Sequence, residues 1–532
     1  MAMKKLGLYL IEALADRGVS HVFGIPGVHN LELYRGLAGG PIRHITGRHE
    51  QGLGFMADGY ARLSGRPGVC FTITGPGLTN ITTAMGQAYG DSIPLLVISS
   101  RNRRGEAGSG RGFLHELPDQ RALASQVAAA SDSIEEPGQL PEALGRAFAM
   151  FSSARPRPVY IEIPLDVLAA DATGLALPAP SPAAPVPPAT ALDAAADRLR
   201  SAKRPVVLAG GGGLRAAGEL RRLAEHLGAP VVMTTNARGI LPPGHPLAVP
   251  RSPSLEPVRA LIAAADSVLA VGTELGPTDY DMYGVSEFPN PPGLMRIDIE
   301  AAQLTRSARP VIPLCGEAGA TLRALLARDL GAARPGAGEA TAAAACERAL
   351  AALSPAMRRQ VTLLDLIRDA LPSAVLVGDS TQLVYAGNLG FAAASPGSWF
   401  NSATGYGTLG YALPAATGAG LAVPDRPVVC LVGDGGLQFS LGELAVPGEV
   451  DGWTAIVVWN NRGFGEIKTA MIAAGIAPEG VDVRPPEFAH LARAYGYGHR
   501  MIEDPAALER ALKEFGRRRQ VVLLEIRAEA FE

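Results

Sequence analysis

The chain has 532 residues, of which 47% are hydrophobic and 19% charged, and its formal net charge is −3. This length predicts roughly two to four domains with sizeable cores, and the near-neutral charge argues against a nucleic-acid-binding protein. Cys70, Cys315, Cys346 and Cys430 are scattered without a CxxC pair, which favours a reducing cytoplasm and argues against a zinc site.

The first predicted element is an amphipathic helix within MAMKKLGLYLIEALADRG. Glu12, Asp16 and Arg17 interrupt apolar residues that recur at helical spacing, so we expect a folded first helix instead of a signal peptide. Since no apolar run approaches the length of a membrane span, no membrane partner is expected.

Short apolar runs then alternate with helical stretches along the chain. The strand candidates are HVFGI, VCFTI, LLVIS and PVYIEI, then PVVLAG, PVVMTT, SVLAVG and LMRIDI, and finally AVLVG, PVVCLVG, TAIVVW and VVLLEI. Unbroken Val, Ile and Leu runs between helices predict an α/β fold of doubly wound parallel sheets covered on both faces. Ligands of such sheets bind at the carboxyl ends of the strands.

Two stretches rich in Ala, Pro and Gly are predicted to be linkers, at 168–190 and 331–358. They leave three segments of domain size. The predicted domains are therefore 1–167, 191–330 and 359–532.

Polar residues follow two strands of the third segment. PVVCLV runs into Gly433, Asp434, Gly435 and Gly436, and TAIVVW runs into a pair of asparagines that ends at Asn461. An isolated GDG triplet is often only a turn with Asp as a helix N-cap. Because both motifs close strands one βαβ unit apart, they instead favour oxygen ligands for Mg²⁺ beside bare N–H groups that cradle a diphosphate.

The stretch from GDGGLQ to VVWNN resembles the signature of thiamine-diphosphate enzymes. The resemblance covers nearly the whole chain, in the order of the acetolactate synthase and pyruvate decarboxylase group: a pyrimidine-binding domain, a Rossmann-like middle domain and a diphosphate-binding domain. It implies that Asp434, Asn461 and the carbonyl of Gly463 bind magnesium. The implied cofactor contacts in this segment are Gly433, Asp434, Gly435, Gly436, Asn461 and Phe464.

Glu50 begins the stretch EQGLGFMADGYARLSG. Taken alone, a Glu in a first helical turn is usually only favourable to the helix dipole. The resemblance instead implies that Glu50 hydrogen-bonds a ring nitrogen of the aminopyrimidine and favours its imino tautomer. That tautomer removes the C2 proton of the thiazolium and forms the reactive ylid.

Two further segments match the family's cofactor site. ATGYGTLGYALPAA is either a tight loop with Leu409 in a core or, by resemblance, the segment in which Gly407 and Leu409 hold the aminopyrimidine and the Leu409 side chain bends the cofactor. The strand AVLVG ends at a second implied diphosphate loop, which consists of Asp379, Ser380, Thr381 and Gln382. Because different subunits supply Glu50 and the metal site in this family, we expect a homodimer or homotetramer with active sites at the subunit interface.

Family members attack a 2-oxo acid, release CO₂, and then protonate the resulting enamine or add it to a second carbonyl. The residues matched to the substrate pocket are Val28, Leu114, His115, Glu466 and Ile467. His115 takes a position that is His in pyruvate decarboxylases and Gln in the synthases. It is either a structural histidine or an acid/base and substrate-positioning group.

Glu466 takes a pocket position that is commonly apolar in relatives. Its carboxylate either pairs with a protein cation such as Lys468 or meets a cationic substrate, ideally a guanidinium with bidentate geometry. VFGIPGVHNLELYRGL, LHELPDQ and NNRGFGEIK together resemble the 5-guanidino-2-oxopentanoate decarboxylases. The expected function is therefore decarboxylation of a cationic or polar 2-oxo acid with thiamine diphosphate and Mg²⁺, which releases CO₂ and an aldehyde.

Three alternatives stay open at this point. The first is an acetolactate synthase, and the second is a carbon–carbon hydrolase or another carboligase that uses the same cofactor. FAD is not expected, because VPRSPSLEP replaces the Met-rich loop that would follow HPLAV. The third is a noncatalytic nucleotide-binding protein, suggested by the glycine-rich turn at 209–213, although such a turn alone is weak evidence.

Overall fold

The computed structural model describes residues 3–280, 291 and 293–531. Their contacts divide the chain into two compact units. The first comprises Met1–Ala183, Gly405–Val428 and Gly436–Thr454, and the second comprises Ala184–Thr404, Val429–Gly435 and Ala455–Glu532. The described residues form three parallel six-stranded sheets between helices, so the predicted α/β fold is confirmed.

The first sheet has the strand order β2-β1-β3-β4-β6-β5. Its strands are β1 His21–Gly24, β2 Arg43–Thr46, β3 Gly68–Thr72, β4 Leu95–Arg101, β5 Ala130–Ser133 and β6 Val159–Pro164. The helices of this part are α1 Leu6–Asp16, α2 Leu31–Tyr34, α3 Glu50–Ser64, α4 Pro76–Gly90, α5 Gln120–Ser125, α6 Leu140–Ser153 and α7 Leu165–Leu168. The predicted first helix is α1, which buries Leu6, Leu10 and Leu14 in the core of this sheet.

The second sheet has the strand order β12-β11-β10-β7-β8-β9. Its strands are β7 Pro205–Ala209, β8 Val231–Met233, β9 Ala248–Val249, β10 Ser267–Val271, β11 Leu294–Asp298 and β12 Ile312–Cys315. The helices here are α8 Ala189–Ser201, α9 Ala217–Leu227, α10 Glu256–Ala263, α11 Pro277–Tyr280, α12 Ala318–Leu326 and α13 Glu339–Ala351.

Helix α13 lies inside the stretch 331–358 that the sequence analysis treats as a linker. Its alanines are strong helix formers. Ala342, Ala345 and Ala349 lie on one face at helical spacing and are buried in a core of the second sheet. This stretch is therefore largely an ordered helix, and the domain boundaries themselves stay a prediction.

The third sheet has the strand order β14-β13-β15-β16-β18-β17. Its strands are β13 Val375–Gly378, β14 Trp399–Asn401, β15 Val428–Gly433, β16 Thr454–Asn460, β17 Gly498–Ile502 and β18 Val522–Arg527. The helices here are α14 Pro355–Ala370, α15 Gln382–Gly390, α16 Ala412–Ala422, α17 Asp434–Leu437, α18 Gly465–Ala473, α19 Phe488–Ala494 and α20 Pro505–Arg518.

Within the first unit, α3 and α16 cross at very short range. A Cβ on Gly59 would lie 2.0 Å from the carbonyl oxygen of Ala415, and one on Gly418 would lie 1.8 Å from that of Met56. Only glycine permits this approach of two backbones, so the pair of helices forms a closely packed support for the residues at their ends.

None of the helices in the described ranges combines the length and the hydropathy that crossing a membrane requires.

Candidate active site

The GDG and NN motifs lie at the carboxyl ends of two adjacent strands. Strand β15 leads into Asp434 and strand β16 into Asn461, and the two strands are neighbours in the third sheet. The backbone N–H of Asn461 donates to Oδ1 of Asp434 at 3.3 Å. The parallel sheet therefore brings the two motifs together, as their spacing predicts.

The side-chain amide of Asn461 links these strand ends. One of its terminal atoms lies 2.7 Å from the carbonyl oxygen of Gly463 and 3.0 Å from Oδ1 of Asp434. With the amide nitrogen in that place, Asn461 donates to both oxygens. With the amide oxygen there, three oxygens face one another, an arrangement that a cation among them stabilises. One carboxylate, one amide and one carbonyl are the kind of oxygen ligands that Mg²⁺ takes, so this donor set fits the ion.

Asp434 is buried, and burial raises the pKa of its carboxyl above the ordinary value. Hydrogen bonds from the backbone N–H groups of Asn461, Gly463 and Gly435 oppose that rise. A bound divalent cation would stabilise the ionised carboxylate in the same way, since it brings positive charge to a group that has lost most of its water.

The loop after Asn461 depends on glycine. Gly463 has φ 153°, and a Cβ on it would lie 2.3 Å from the carbonyl oxygen of Val481. The N–H of Phe464 donates to that same carbonyl at 2.9 Å, and its ring lies against Gly435. The Gly463 carbonyl is therefore fixed in place by a backbone path that only glycine follows without strain.

Strand β13 brings the second predicted diphosphate loop beside these motifs. Asp379 is fully buried and accepts from the N–H of Ser380 at 2.9 Å, and Thr381 precedes helix α15. Oε1 of Gln382 accepts from the indole N–H of Trp459 at 3.0 Å. When the amide oxygen of Asn461 faces Asp434, Oε1 of Gln382 also accepts from the amide nitrogen of Asn461 at 3.1 Å. Gln382 thus orients the amide of Asn461, and the start of α15 carries the positive end of the helix dipole, which favours an anion.

Glu50 lies in the first unit, at the first residue of α3. His49 caps this helix by accepting from the N–H of Gln51 at 3.1 Å. The Glu50 side chain is buried, and its Oε2 accepts from the amide of Asn80 on α4 at 2.9 Å. Asn80 is the one side-chain hydrogen-bond partner of this buried carboxyl group within the described ranges, so the group is suited to a further hydrogen bond with a ligand atom.

A second buried carboxylate supports the start of the same helix. Oε1 of Glu443 accepts from the N–H groups of Arg48 at 3.0 Å and His49 at 2.8 Å. Burial raises the pKa of Glu443, the two N–H groups and Arg48 lower it, and the nearby charge of Glu50 raises it further. Glu443 has no signal in the sequence, because it follows no strand and its partners precede it by 395 and 394 positions.

The segment with Gly407 and Leu409 is held in the first unit by polar side chains. The hydroxyl of Thr408 donates to Oε1 of Gln87 at 3.0 Å, and Tyr411 donates to Asp58. Gly407 has φ 75° and is exposed, whereas Leu409 is half-buried. Leu409 therefore lies between two anchored residues, and Gly407 directly precedes the first of them.

The predicted pocket residues of the first unit lie on two loops at the carboxyl edge of the first sheet. The side chains of Val28 and Leu114 are 68% and 60% exposed. His115 has φ 62°, and its ring meets that of His29 with centroids 5.1 Å apart. Sequence reasoning passed over His29, although it stands next to Val28.

Glu466 and Ile467 lie in the first turn of α18 in the second unit, and both are exposed. Lys468 pairs with Asp482 at 2.7 Å, so the predicted alternative of a Glu466–Lys468 salt bridge is wrong. Among the described residues, none forms an ion pair with Glu466. The failure of the Glu466–Lys468 pair has a local cause, since residues two apart on a helix do not face each other.

The glycine-rich turn after β7 has a structural explanation. A Cβ on Gly210 would lie 2.2 Å from the carbonyl oxygen of Gly272, and one on Gly212 would lie 2.9 Å from the Gly272 Cα. Close packing of the turn against the end of β10 therefore accounts for these glycines, and no bound nucleotide is needed to explain them.

Family models match three parts of the chain. The thiamine pyrophosphate enzyme N-terminal TPP binding domain matches residues 4–123, the central domain of the same enzymes 192–325, and the C-terminal TPP binding domain 379–526. These matches include Glu50 and both motifs of the third sheet.

Curated relatives cover nearly the full length. Probable 2-ketoarginine decarboxylase AruI of Pseudomonas aeruginosa is 48% identical over 98% of this chain and 93% of that protein. Acetolactate synthase isozyme 1 large subunit of Escherichia coli is 30% identical over 98% of this chain and 94% of that protein. Probable acetolactate synthase large subunit of Methanocaldococcus jannaschii is 30% identical over 97% of this chain and 90% of that protein.

Proposed function

The chain belongs to the thiamine pyrophosphate enzyme family, and from this membership we propose that it decarboxylates a 2-oxo acid with a guanidinium tail, releasing CO₂ and an aldehyde. The observation that carries the proposal is the 48% identity to a probable 2-ketoarginine decarboxylase over 98% of the chain. The proposed substrate is 5-guanidino-2-oxopentanoate, the 2-oxo acid that corresponds to arginine. The motifs described in the sequence analysis favour the same substrate.

Thiamine diphosphate, when bound, supplies a carbon nucleophile that attacks the substrate carbonyl and accepts the electron pair released when CO₂ leaves. In this proposal Asp434, Asn461 and the Gly463 carbonyl hold Mg²⁺. Asp379, Ser380, Thr381 and Gln382 form the second wall of the diphosphate site. The oxygen donor set at the ends of β15 and β16 supports this assignment.

In this proposal the carboxyl group of Glu50 hydrogen-bonds the aminopyrimidine ring nitrogen and exchanges a proton with it. Its burial supports the role, since a carboxyl group away from water holds a strong hydrogen bond to a ligand. Asn80 orients the carboxyl group, and Glu443 fixes the backbone just before it. Gly407 and Leu409 hold the same ring from a loop of the first unit.

The net reaction replaces a carboxylate by a hydrogen: R–CO–COO⁻ + H⁺ gives R–CHO + CO₂. The bond between C1 and C2 of the substrate breaks, and C2 then takes up one proton. We assign the delivery of that proton to His115, because an imidazole exchanges protons readily near neutral pH. His115 is half-buried on a loop at the Glu50 edge of the first sheet.

Glu466 is the proposed partner of the guanidinium. Its exposed carboxylate has no ion-pair partner among the described residues, so it is available to a ligand cation. A carboxylate and a guanidinium form two parallel hydrogen bonds, which gives this pairing geometric selectivity. Ile467 and Leu114 would line the apolar part of the pocket.

We further propose a cytoplasmic homo-oligomer with its active sites at the subunit interface. Val28, Leu114 and Ile467 support this proposal, since each of these predicted pocket residues is more than half exposed in the single chain. Analytical ultracentrifugation would test it: a dimer or tetramer is expected, and an active monomer would contradict it.

Relatives that are 30% identical and named acetolactate synthases favour one second candidate, a carboligase. A panel of 2-oxo acids separates the two with thiamine diphosphate and Mg²⁺ present. A decarboxylase releases CO₂ and free aldehyde in equal amounts, with 5-guanidino-2-oxopentanoate as the preferred substrate. CO₂ release from pyruvate with formation of a coupled hydroxy-oxo acid would favour the synthase instead.

A further inference from the structure

His29 and His115 form a pair of imidazoles in the first unit. The first follows strand β1 and the second lies on the loop after β4, and their ring centroids are 5.1 Å apart with planes at 88°. In such a T-shaped contact the positive edge of one ring meets the electron-rich face of the other. The arrangement suits one protonated and one neutral imidazole, whereas two protonated rings would repel each other.

The backbone around His115 is firmly held. The carbonyl of Leu114 accepts from the amide of Asn102 at 2.9 Å. The carboxylate of Glu116 accepts from the N–H groups of Gly110 at 2.7 Å and Gly112 at 3.0 Å. The loop is thus fixed on both sides of His115, and its ring contacts the ring of His29.

The pair lies at the same edge of the first sheet as Glu50. A Cβ on Gly75 would lie 2.4 Å from the carbonyl oxygen of His115, and one on Gly77 would lie 3.5 Å from Oε1 of Glu50. These two glycines are two residues apart at the start of α4. The loop of His115 and the carboxyl of Glu50 therefore flank one helix terminus.

His29 has the properties expected of the neutral imidazole in the His29–His115 pair. Burial lowers the pKa of His29, the positive charge of His115 lowers it further, and Glu106, the acidic group that faces it, has the opposite effect. Its Nδ1 is buried and has no hydrogen-bond partner within the described ranges. A buried nitrogen of this kind is rare in folded proteins and is available to a neighbouring proton donor or a ligand.

We propose that His29 is a positioning residue for proton delivery: its ring, packed edge to face against that of His115, holds the His115 imidazole in the orientation from which its proton reaches the carbon that has lost CO₂. This inference rests on the proposed function. One proton passes from His115 to substrate C2 in each turnover, and solvent returns it. No other co-reactant is required.

A single-turnover experiment with 5-guanidino-2-oxopentanoate tests the inference. His29→Gln should slow aldehyde formation by about tenfold or more, because proton delivery is impaired, while CO₂ release keeps its wild-type rate. The matched control is His21→Gln, at the opposite end of β1, where burial also lowers the histidine pKa. If His29→Gln slows both products equally, or neither, the inference is overturned.

An NMR titration of the His29 imidazole gives an independent test. A purely structural role of His29 would leave its pKa independent of His115. The pKa of His29 should rise in His115→Gln, because the positive neighbour that lowers it is gone. An unchanged pKa would overturn the pairing. This second arm needs neither a His29 variant nor turnover. If the wild type releases no CO₂ from any 2-oxo acid, the proposed function fails while the titration still decides whether the two rings are coupled.

Discussion

Glu443 accepts a hydrogen bond from the backbone N–H of His49 at 2.8 Å, and His49 is the residue that caps the helix beginning with Glu50. The same oxygen accepts from the N–H of Arg48. A carboxylate far along the chain thus fixes the backbone from which the proposed cofactor-activating acid projects.

Removing this support should destabilise the protein. In Glu443→Ala the backbone N–H groups of Arg48 and His49 lose their acceptor, which should cost about 2 kcal/mol of unfolding free energy. Glu443→Gln keeps one acceptor oxygen and should cost less than half as much. Urea unfolding of both variants measures the difference. Equal losses in the two variants would contradict this account of Glu443.

The pH dependence of stability should change with the same residue. Burial raises the folded-state pKa of Glu443 above the ordinary glutamate value. Between these two pKa values the folded protein binds more protons than the unfolded chain, so the contribution of Glu443 to stability falls as pH rises through that window. Glutamine does not titrate, so the stability of Glu443→Gln relative to wild type should increase as pH rises between the two pKa values. A difference independent of pH would contradict the raised pKa.

Gly463→Ala should abolish the metal-dependent binding of thiamine diphosphate. Its Cβ would lie 2.3 Å from the Val481 carbonyl, and φ 153° is unfavourable for alanine. Gly475→Ala is the matched control, because Gly475 also has a positive φ of 71° but no atom lies within 4 Å of its added Cβ. Calorimetry with Mg²⁺ should find no uptake by the first variant and nearly normal uptake by the second. Normal uptake by Gly463→Ala would remove the carbonyl from the proposed ligand set.

Gln382→Leu should weaken Mg²⁺ binding by about tenfold, because residues that orient a metal ligand typically contribute 10- to 100-fold to affinity. Gln382 accepts from Asn461 at 3.1 Å, and leucine cannot. The measurement is a Mg²⁺ titration of cofactor-dependent activity. A shift of the midpoint to higher Mg²⁺ concentration is expected, and an unchanged midpoint would show that Asn461 needs no such support.

Glu466→Gln should lower kcat/KM for 5-guanidino-2-oxopentanoate by about tenfold or more, since a charge-assisted pair loses its negative partner. Turnover of pyruvate should stay at the wild-type level. Glu479→Gln is the control, because Glu479 is another exposed acid in the second unit. Unchanged selectivity in Glu466→Gln would exclude this carboxylate as the guanidinium partner.

The candidate metal ligands at the strand ends could be predicted, because each of them directly follows a recognisable apolar strand in the sequence. Asp434 and Asn461 each follow an apolar run, and a parallel sheet places such ends along one edge. The fold class was predictable for the same reason, since unbroken apolar strands alternate with helices.

Contacts between distant loops could not be predicted in this way. Glu443 meets the backbone of Arg48 and His49, and His29 meets His115, without any periodic signal that links the partners. Helix α13 was missed for a different reason, because an alanine-rich stretch beside Pro and Gly has the composition of a linker although alanine favours helix. Tertiary burial of Ala342 and Ala345 decides the outcome.

The central claim is that this chain uses Glu50 and thiamine diphosphate to remove CO₂ from a guanidino 2-oxo acid. The most direct test compares CO₂ and aldehyde release from 5-guanidino-2-oxopentanoate by wild type and Glu50→Gln, with the cofactor and Mg²⁺ at saturation. The account predicts equal amounts of both products from wild type and a rate at least about 100-fold lower in the variant. No CO₂ from the wild type, or an unchanged rate in Glu50→Gln, would contradict it.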